Sequence, residues 1–329
     1  MTDKTILIVD GDLVAYLNAA AIEKRKVKVT HKPSGRMKEF GTRTEFKDSL
    51  KKKDFVFKPD DYEYEDIQIP GNFALVEKNV GNLFAKFKEI CWPDEIEVYQ
   101  GEPCVLFRNE LPLPTPYKDN RGATKPLMLA DTQQLLYNKY KAKPVRYIET
   151  DDMLTIRAYE ELDKGNNPII ATIDKDAMQS QGVSVLNWND DIPRANLIHS
   201  LGEVHKHKTT YKGSGLKFLA YQTLAGDPTD TYKPYHLSAI TYGPARAYNA
   251  VVNCKTEQEV LLAIISEYKR MFPSKLNYTA HNGVEILADW KLMLRLYWQC
   301  SYMMRSHADK SNFWDYASKY GIRKEDHDS

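Results

Sequence analysis

Four strand-like runs in this sequence each end in acidic residues, and that recurrence constrains the fold more than any other feature. Thr5 to Val9 leads into Asp10-Gly11-Asp12, and Glu95 to Gln100 leads into Gly101-Glu102. Val145 to Ile148 leads into Glu149-Thr150-Asp151-Asp152, and Pro168 to Ile173 leads into Asp174-Lys175-Asp176. Continuous β-branched runs such as Thr5-Ile6-Leu7-Ile8-Val9 fit strands covered on both faces of a parallel sheet. Helical spacing separates them. Strands joined by crossover helices point the same way, so their carboxyl ends share one edge, where ligands and catalytic groups collect. The expected fold class is therefore α/β, with a central, mainly parallel sheet flanked by helices.

Each acidic run has a plainer explanation when taken singly. Asp10 can cap the helix expected over Leu13 to Ala21. Thr150 is a good N-cap, and carboxylates in a first helical turn are favoured by the helix dipole. What caps alone do not account for is the same arrangement at strand end after strand end, followed by a further pair, Asp227 and Asp230, after the helix expected over Gly215 to Leu224.

The remaining chain sets limits on class. Its 329 residues suit one α/β domain with an appended helical part. The N-terminal residues hold no apolar stretch long enough for a signal peptide or a membrane span. The four cysteines Cys91, Cys104, Cys254 and Cys300 are far apart, so free thiols in a reducing cytoplasm are expected. A net charge of +1 excludes neither nucleic acid nor acidic ligands, because acidic pairs sit at strand ends while Lys and Arg gather elsewhere.

Residues 23–70 break the α/β rhythm. Val27 to Lys32, the turn Pro33-Ser34-Gly35 and Met37 to Phe40 predict a β-hairpin. Lysine-rich Lys47 to Lys58 and acidic Asp60 to Asp66 complete this insertion. Its basic part could meet a nucleic-acid backbone, although a charge run is more commonly a solvated face. Asn72 to Ile90 and Leu127 to Tyr140 have helical spacing. Between them, Pro112, Pro114 and Pro116 keep Arg108 to Lys125 out of a helix. The helix after Thr150 should stop at Gly165, and Val183 to Asn187 is a fifth strand. Leu197 to Tyr211 holds His199, His205 and His207 without a nearby third ligand, so an exposed loop is expected rather than a metal site. From Tyr232 onward strands should largely cease. Leu237 to Ile240 and Ala245 to Val252 read as short helices, and Gln258 to Met271 and Leu287 to Met304 as longer ones.

Asp10, Glu102, Glu149, Asp151, Asp152, Asp174, Asp176, Asp227 and Asp230 would together repel one another and raise their own pKa values unless cations lie among them. Hard divalent ions, Mg²⁺ or Mn²⁺, answer this, and two of them can clamp the attacking and leaving oxygens of a phosphodiester. Metal-dependent phosphoryl chemistry is the class implied.

In their order along the chain, Ile8-Val9-Asp10-Gly11, Tyr117-Lys118-Asp119-Asn120-Arg121, Glu149-Thr150-Asp151-Asp152, Thr172-Ile173-Asp174-Lys175-Asp176 and Gln222 to Asp230 resemble the 5′-nuclease superfamily. That group includes flap endonucleases, the 5′-nuclease domains of bacterial polymerases, and phage 5′→3′ exonucleases and ribonuclease H enzymes, the last branch being the most similar. The resemblance covers residues 5–23 and 95–252. It implies a PIN-like nuclease core over residues 1–212 and a helical C-terminal DNA-binding region over 213–329, with a helix-turn-helix element about Thr231 to Val252. It also implies that Asp10, Glu102, Glu149, Asp151 and Asp152 hold one metal and that Asp174, Asp176, Asp227 and Asp230 hold a second. Lys118 and Arg121 match the basic pair at the scissile phosphate, and Tyr117 would stack on a base or pack beneath the arch. Arg108, Lys125, Gly243 and Arg246 join Tyr117 as expected nucleic-acid contacts. The implied partners are DNA with 5′ ends or flaps, RNA–DNA hybrids as a further class, and a single-strand-binding or replication protein, in phage DNA replication, recombination or primer removal within the host cytoplasm.

Three departures qualify the match. Glu102 stands where the family has Asp. The glycine-rich turn is represented only by Tyr242-Gly243-Pro244-Ala245-Arg246. The segment from Arg121 to Glu149 is short for a closed helical arch, which favours exonuclease action at 5′ ends. Two competing readings remain at this level. Asp10-Gly11-Asp12 also matches haloacid-dehalogenase-type phosphatases, with Asp10 as nucleophile and Asp12 as general acid/base. A DNA-binding relative without activity would have lost carboxylates that are retained here.

Overall fold

The computed structural model describes residues 3–52, 57–119 and 124–327. Along the chain come β1 (Thr5–Asp10), α1 (Gly11–Ile22), β2 (Lys24–His31), β3 (Arg36–Phe40), α2 (Arg43–Lys51), β4 (Tyr62–Ile69) and α3 (Phe73–Cys91). Next are β5 (Glu95–Gly101), α4 (Leu129–Tyr140), β6 (Lys143–Val145), α5 (Thr150–Asp163), β7 (Asn167–Ala171), β8 (Ser184–Leu186) and β9 (Ala195–Leu197). The C-terminal part holds β10 (Glu203–His207), β11 (Thr210–Ser214), α6 (Gly215–Ala225), α7 (Pro244–Val251) and α8 (Glu257–Met271). It ends with β12 (Leu276–Thr279), β13 (Glu285–Ala288), α9 (Trp290–Ser301) and α10 (Phe313–Ser318). No helix among the described residues is long and apolar enough to cross a membrane.

These elements form two compact units. The first contains residues 1–12, 87–123 and 141–329. Its sheet has the order β6-β5-β1-β7-β8-β9, and every pairing is parallel except β8 with β9. The sheet is therefore central and mainly parallel, as expected. Register shows why the acidic ends meet. Asp10 lies opposite Tyr99, Val9 opposite Ala171, and Gly101 opposite Val145, so β1, β5, β6 and β7 finish along one edge. Ile6, Leu7, Ile8 and Val9 are all buried, which is what an uninterrupted apolar strand requires. Helix α5 lays Leu154 and Ala158 against Ile6, Ile8, Tyr99, Val145 and Ile170. A second core gathers α6, α8 and α9 around Leu219, Leu224, Ile264, Tyr268, Leu296 and Trp298.

Several elements of this unit differ from the expectation. The third strand is shorter and ends at Val145, with Tyr147 in the left-handed region at φ 67. Residues 203–214 form a β-hairpin instead of a loop. Its polar composition hides the alternation, in which Val204 is buried and Tyr211 packs on Tyr221 and Tyr248 while His205 and His207 face outward. Leu237 to Ile240 is not a helix. A single 3-10 turn over Pro234–Leu237 stands there, ended by extended Ser238, so α7 is the one α-helix between 231 and 252. Two further strands, β12 and β13, pair antiparallel in a region expected to be helical. Helix α9 then starts only after Asp289, whose side chain accepts from Leu292 N at 2.9 Å.

The second unit contains residues 13–86 and 124–140. In it the expected hairpin is a three-stranded antiparallel sheet, β3-β2-β4. Phe46 of α2 covers Val27 and Val29. The acidic run supplies the third strand, where Glu65 pairs with Lys28 of β2 at 3.0 Å and Asp66 with Arg43 of α2 at 2.9 Å, while Lys26 of β2 pairs with Glu39 of β3 at 2.8 Å. Such exposed pairs contribute at most about 1 kcal/mol each. Their effect here is to offset part of the charge on β2 and β4. Phe84 of α3 stacks on Tyr140 of α4, with ring centroids 4.0 Å apart.

Candidate metal centre

Strand β1 delivers Asp10 to the edge, and the next residue must be glycine. A Cβ on Gly11 would stand 2.6 Å from the Tyr99 carbonyl oxygen and 2.5 Å from Gln100 Cγ. Asp10 is buried and its Oδ2 accepts from Thr172 Oγ1 at 2.8 Å. Thr172 Oγ1 in turn accepts from Asp174 N at 3.1 Å, which ties the end of β7 to the end of β1. Asp174 then caps a 3-10 turn, accepting from Asp176 N at 2.9 Å.

Helix α6 brings the remaining pair. It stops at Gly226, held at φ 72 in a place where a Cβ would lie 2.3 Å from the Tyr232 carbonyl oxygen. In the turn that follows, Asp227 Oδ1 accepts from Thr229 N at 2.8 Å, and the Asp230 carbonyl accepts from Lys118 N at 2.9 Å. Asp176, Asp227 and Asp230 each present a carboxylate oxygen, and these atoms lie within 4.8 Å of one another. Gln222 Nε2 donates to Asp176, and Lys175 forms an ion pair with Asp227.

Electrostatics bind the wider group together. Burial, then the charges of Asp174 and Asp227, push the Asp176 carboxyl up to about 7 against the opposing influence of Lys175 and Gln222. Burial and the charges of Asp174, Asp10 and Glu149 hold Asp151 well above the usual carboxylate range, with Lys118 opposing. Asp230 is raised by burial, with Glu149 and Asp227 adding and Lys118 and the Tyr117 hydroxyl opposing. An all-oxygen set of buried and half-buried, mutually repelling carboxylates fits a hard divalent cation, because the cation removes the repulsion that raises these groups.

Other expected residues are placed differently. Glu102 pairs with Arg146 at 2.6 Å and is not part of the three-carboxylate group. Asp152 is fully buried, and both its oxygens accept from Arg108, at 2.5 and 2.9 Å. Arg108, expected at nucleic acid, is itself fully buried and has no surface to offer a backbone. Tyr117 is also buried. Its hydroxyl lies 3.1 Å from Glu149 Oε2 and 2.9 Å from Asp230 Oδ2, and its ring packs on Tyr232, so it joins two carboxylates instead of stacking on a base. Lys118 forms an ion pair with Glu149 and lies 3.7 Å from Asp230. Its backbone sits in the left-handed region at φ 59, a strained position for a lysine. Arg121 lies outside the described residues. Lys125 belongs to the second unit, where its carbonyl accepts from Gln68 Nε2 at 2.8 Å. Gly243 precedes α7, and Arg246 is drawn to Glu267 at 3.2 Å with its guanidinium over the Tyr242 ring.

Asp12 bears on the phosphatase alternative. Its carboxylate accepts from Gly101 N at 3.0 Å and from Thr150 Oγ1 at 2.6 Å, and so ties the end of β5 to the start of α5 in place of serving as a free acid. Thr172, Lys175 and Gln222 lie inside the quoted motifs, but sequence alone assigns them no role; for Lys175 a signal exists, since it sits between Asp174 and Asp176. Gln179, whose Nε2 donates to Gln222 Oε1 at 3.0 Å, carries no such signal.

No protein-family model matches this chain, and no curated protein does. Among solved structures it is similar to the bacteriophage T5 5′-exonuclease with bound zinc, at 18% identity over 80% of this chain and 79% of that one, with a TM-score of 0.45. A point mutant of the T5 5′-exonuclease matches at 14% identity over 92% of this chain and 88% of that one, with a TM-score of 0.46. A point variant of the T5 flap endonuclease in a pseudo-enzyme–product complex with DNA and metal ions matches at 14% identity, over 80% and 88% of the two chains, with a TM-score of 0.41.

Proposed function

We propose that this protein is a metal-dependent 5′-nuclease that hydrolyses phosphodiester bonds of nucleic acid, acting chiefly as a 5′→3′ exonuclease on DNA. The observation that carries this reading is the set Asp176, Asp227 and Asp230, with oxygens within 4.8 Å of one another on a sheet edge shared with Asp10, Asp151 and Asp174. The ordered motifs of the sequence support the 5′-nuclease class. Duplex ends, flaps and RNA–DNA hybrids are the substrates to compare, with residues 213–329 as the region for duplex DNA.

Mg²⁺ or Mn²⁺ ions held by Asp176, Asp227 and Asp230, with Asp10, Asp151 and Asp174 beside them, would supply an activated water and positive charge at the phosphate. The chain's own groups do the rest. Lys118 is a cation beside Glu149 and Asp230, mostly shielded from solvent, and it is placed to bind a non-bridging phosphate oxygen and offset charge as the bond breaks. Asp230 fixes that lysine by accepting from its backbone N–H, so phosphate-binding and metal-binding groups keep one geometry. Tyr117 ties Glu149 to Asp230 from beneath. Arg121 is the second cation in this reading.

The test is digestion of 5′-labelled duplex, flap and RNA–DNA hybrid with Mg²⁺, comparing wild type, wild type in EDTA and Asp176→Asn. Cleavage from the 5′ end that is lost in EDTA and in the variant is the expected result. Full activity in either would overturn the proposal.

A further inference from the structure

The end of α9, a part of the chain that the nuclease motifs do not reach, meets the carboxylate edge through Arg108. The guanidinium donates through Nε to the Gln299 carbonyl at 3.0 Å and through Nη2 to the Tyr302 carbonyl at 2.7 Å. Nη1 donates to Glu149 Oε2 at 2.9 Å and to Asp152 Oδ2 at 2.5 Å, and Nη2 donates to Asp152 Oδ1 at 2.9 Å. Every guanidinium N–H is thereby used. Asp152 is equally saturated. Oδ1 also accepts from Met304 N at 3.0 Å, and Oδ2 from Glu149 N at 3.4 Å. A carboxylate offers about four lone-pair sites, and these donors take them all. Neither Arg108 nor Asp152 is exposed. Glu149 differs: Arg108 and Tyr117 share its Oε2, which turns Oε1 toward Lys118.

We infer that Arg108 is a positioning residue of this site, which aims Glu149 at Lys118 and takes Asp152 as its own counter-ion, so that Asp152 is not a metal ligand. The activity readout below rests on the proposed phosphodiester hydrolysis; the metal count does not.

The test pairs Arg108→Met with Asp152→Leu in one chain, which removes both charges together and leaves no buried ion stranded. Bound Mn²⁺ ions per chain are counted from the free-Mn²⁺ resonance, and kcat and KM are measured on 5′-labelled duplex. The expected result is an unchanged Mn²⁺ count, with kcat lower by about 10- to 100-fold and KM nearly constant. Loss of a bound Mn²⁺ ion would make Asp152 a ligand and overturn the inference, as would an unchanged kcat. Arg108→Lys keeps the charge but not the fork, and is measured alongside in case the double variant does not fold. It should show the same split, and full kcat in the folded lysine variant would also overturn the inference. Absence of cleavage by the wild type would strike only the hydrolysis reading, while the Mn²⁺ count would still decide the part played by Asp152.

Discussion

Arg108 and Asp152 face each other through both terminal guanidinium nitrogens, at 2.5 and 2.9 Å, with neither residue exposed. Burial works against the charge on Arg108, but Asp152 and Glu149 hold its pKa well above the ordinary value. Removing one member strands the other in a medium that cannot solvate it. Arg108→Met alone is therefore expected to lower the unfolding free energy by about 3–5 kcal/mol. A shift of the urea midpoint without a change in slope is the measurement. A loss below about 1 kcal/mol would mean that water or relaxation reaches Asp152 readily.

The carboxylate edge should make the metal-free protein sensitive to pH in a direction opposite to ordinary acid denaturation. Asp176 rests at about 7, raised by burial and by Asp174, whereas an unfolded aspartate titrates near about 3.9. Between those values the folded chain binds more protons than the unfolded one, so stability falls as pH rises through that window. Asp151 and Asp230 are shifted in the same direction and add to the effect. In EDTA, the melting temperature should decline from about pH 5 to about pH 8. Added Mg²⁺ should raise it more at the upper pH than at the lower, because the cation binds only the ionised set. An Mg²⁺ effect equal at both values would count against binding at Asp176, Asp227 and Asp230.

The same repulsion separates stability from activity at Asp227. This side chain shares the three-carboxylate group and pairs with Lys175. Asp227→Asn removes one negative charge from a crowded buried set, so the metal-free protein is expected to keep or gain stability, by up to about 1–2 kcal/mol at pH 8. Cleavage with Mg²⁺ should fall by about a hundredfold or more, through loss of a metal-binding oxygen. Calorimetry in EDTA beside a gel assay in Mg²⁺ reads both. A variant that is less stable and fully active would contradict the assignment.

How far the sequence reached depends on which physical signal each residue carries. The run Thr5 to Val9 announced a doubly covered strand, and handedness rules then placed Asp10 beside the ends of the neighbouring strands, as the registers with Tyr99 and Ala171 show. Burial of a polar residue carries no such mark. Arg108 looked like surface charge beside three prolines, and only the fold brings Gln299 and Tyr302 carbonyls to it from a distant helix end. Likewise Glu203 to Ser214 is too polar to read as strands, because only Val204 is buried and Tyr211 is half-buried. Acidic Asp60 to Asp66 carries no strand signal of its own, since the complementary charges that pair Tyr62 to Ile69 with Lys24 to His31 act across space and not along the chain.

Tyr117 offers the sharpest separation of the two readings of its residue type. A tyrosine next to Lys118 could stack on a nucleic-acid base, in which case Tyr117→Phe would keep the ring and change little. In the structure the ring is buried against Tyr232, with centroids 6.2 Å apart, and the hydroxyl lies 3.1 Å from Glu149 and 2.9 Å from Asp230. Burial and those two carboxylates raise its pKa well above the ordinary value, so it stays a neutral donor throughout the working pH range. Phenylalanine would fill the same space but leave two carboxylates facing a ring edge. The expected cost is about 1–3 kcal/mol of stability, from the buried acceptor that loses the single hydroxyl proton. If the hydroxyl sets the spacing between the Lys118 side and the metal side, kcat should also fall by about tenfold, with KM for DNA unchanged. A Tyr117→Phe variant with wild-type stability, kcat and KM would restore the stacking role and remove the bridge from the mechanism.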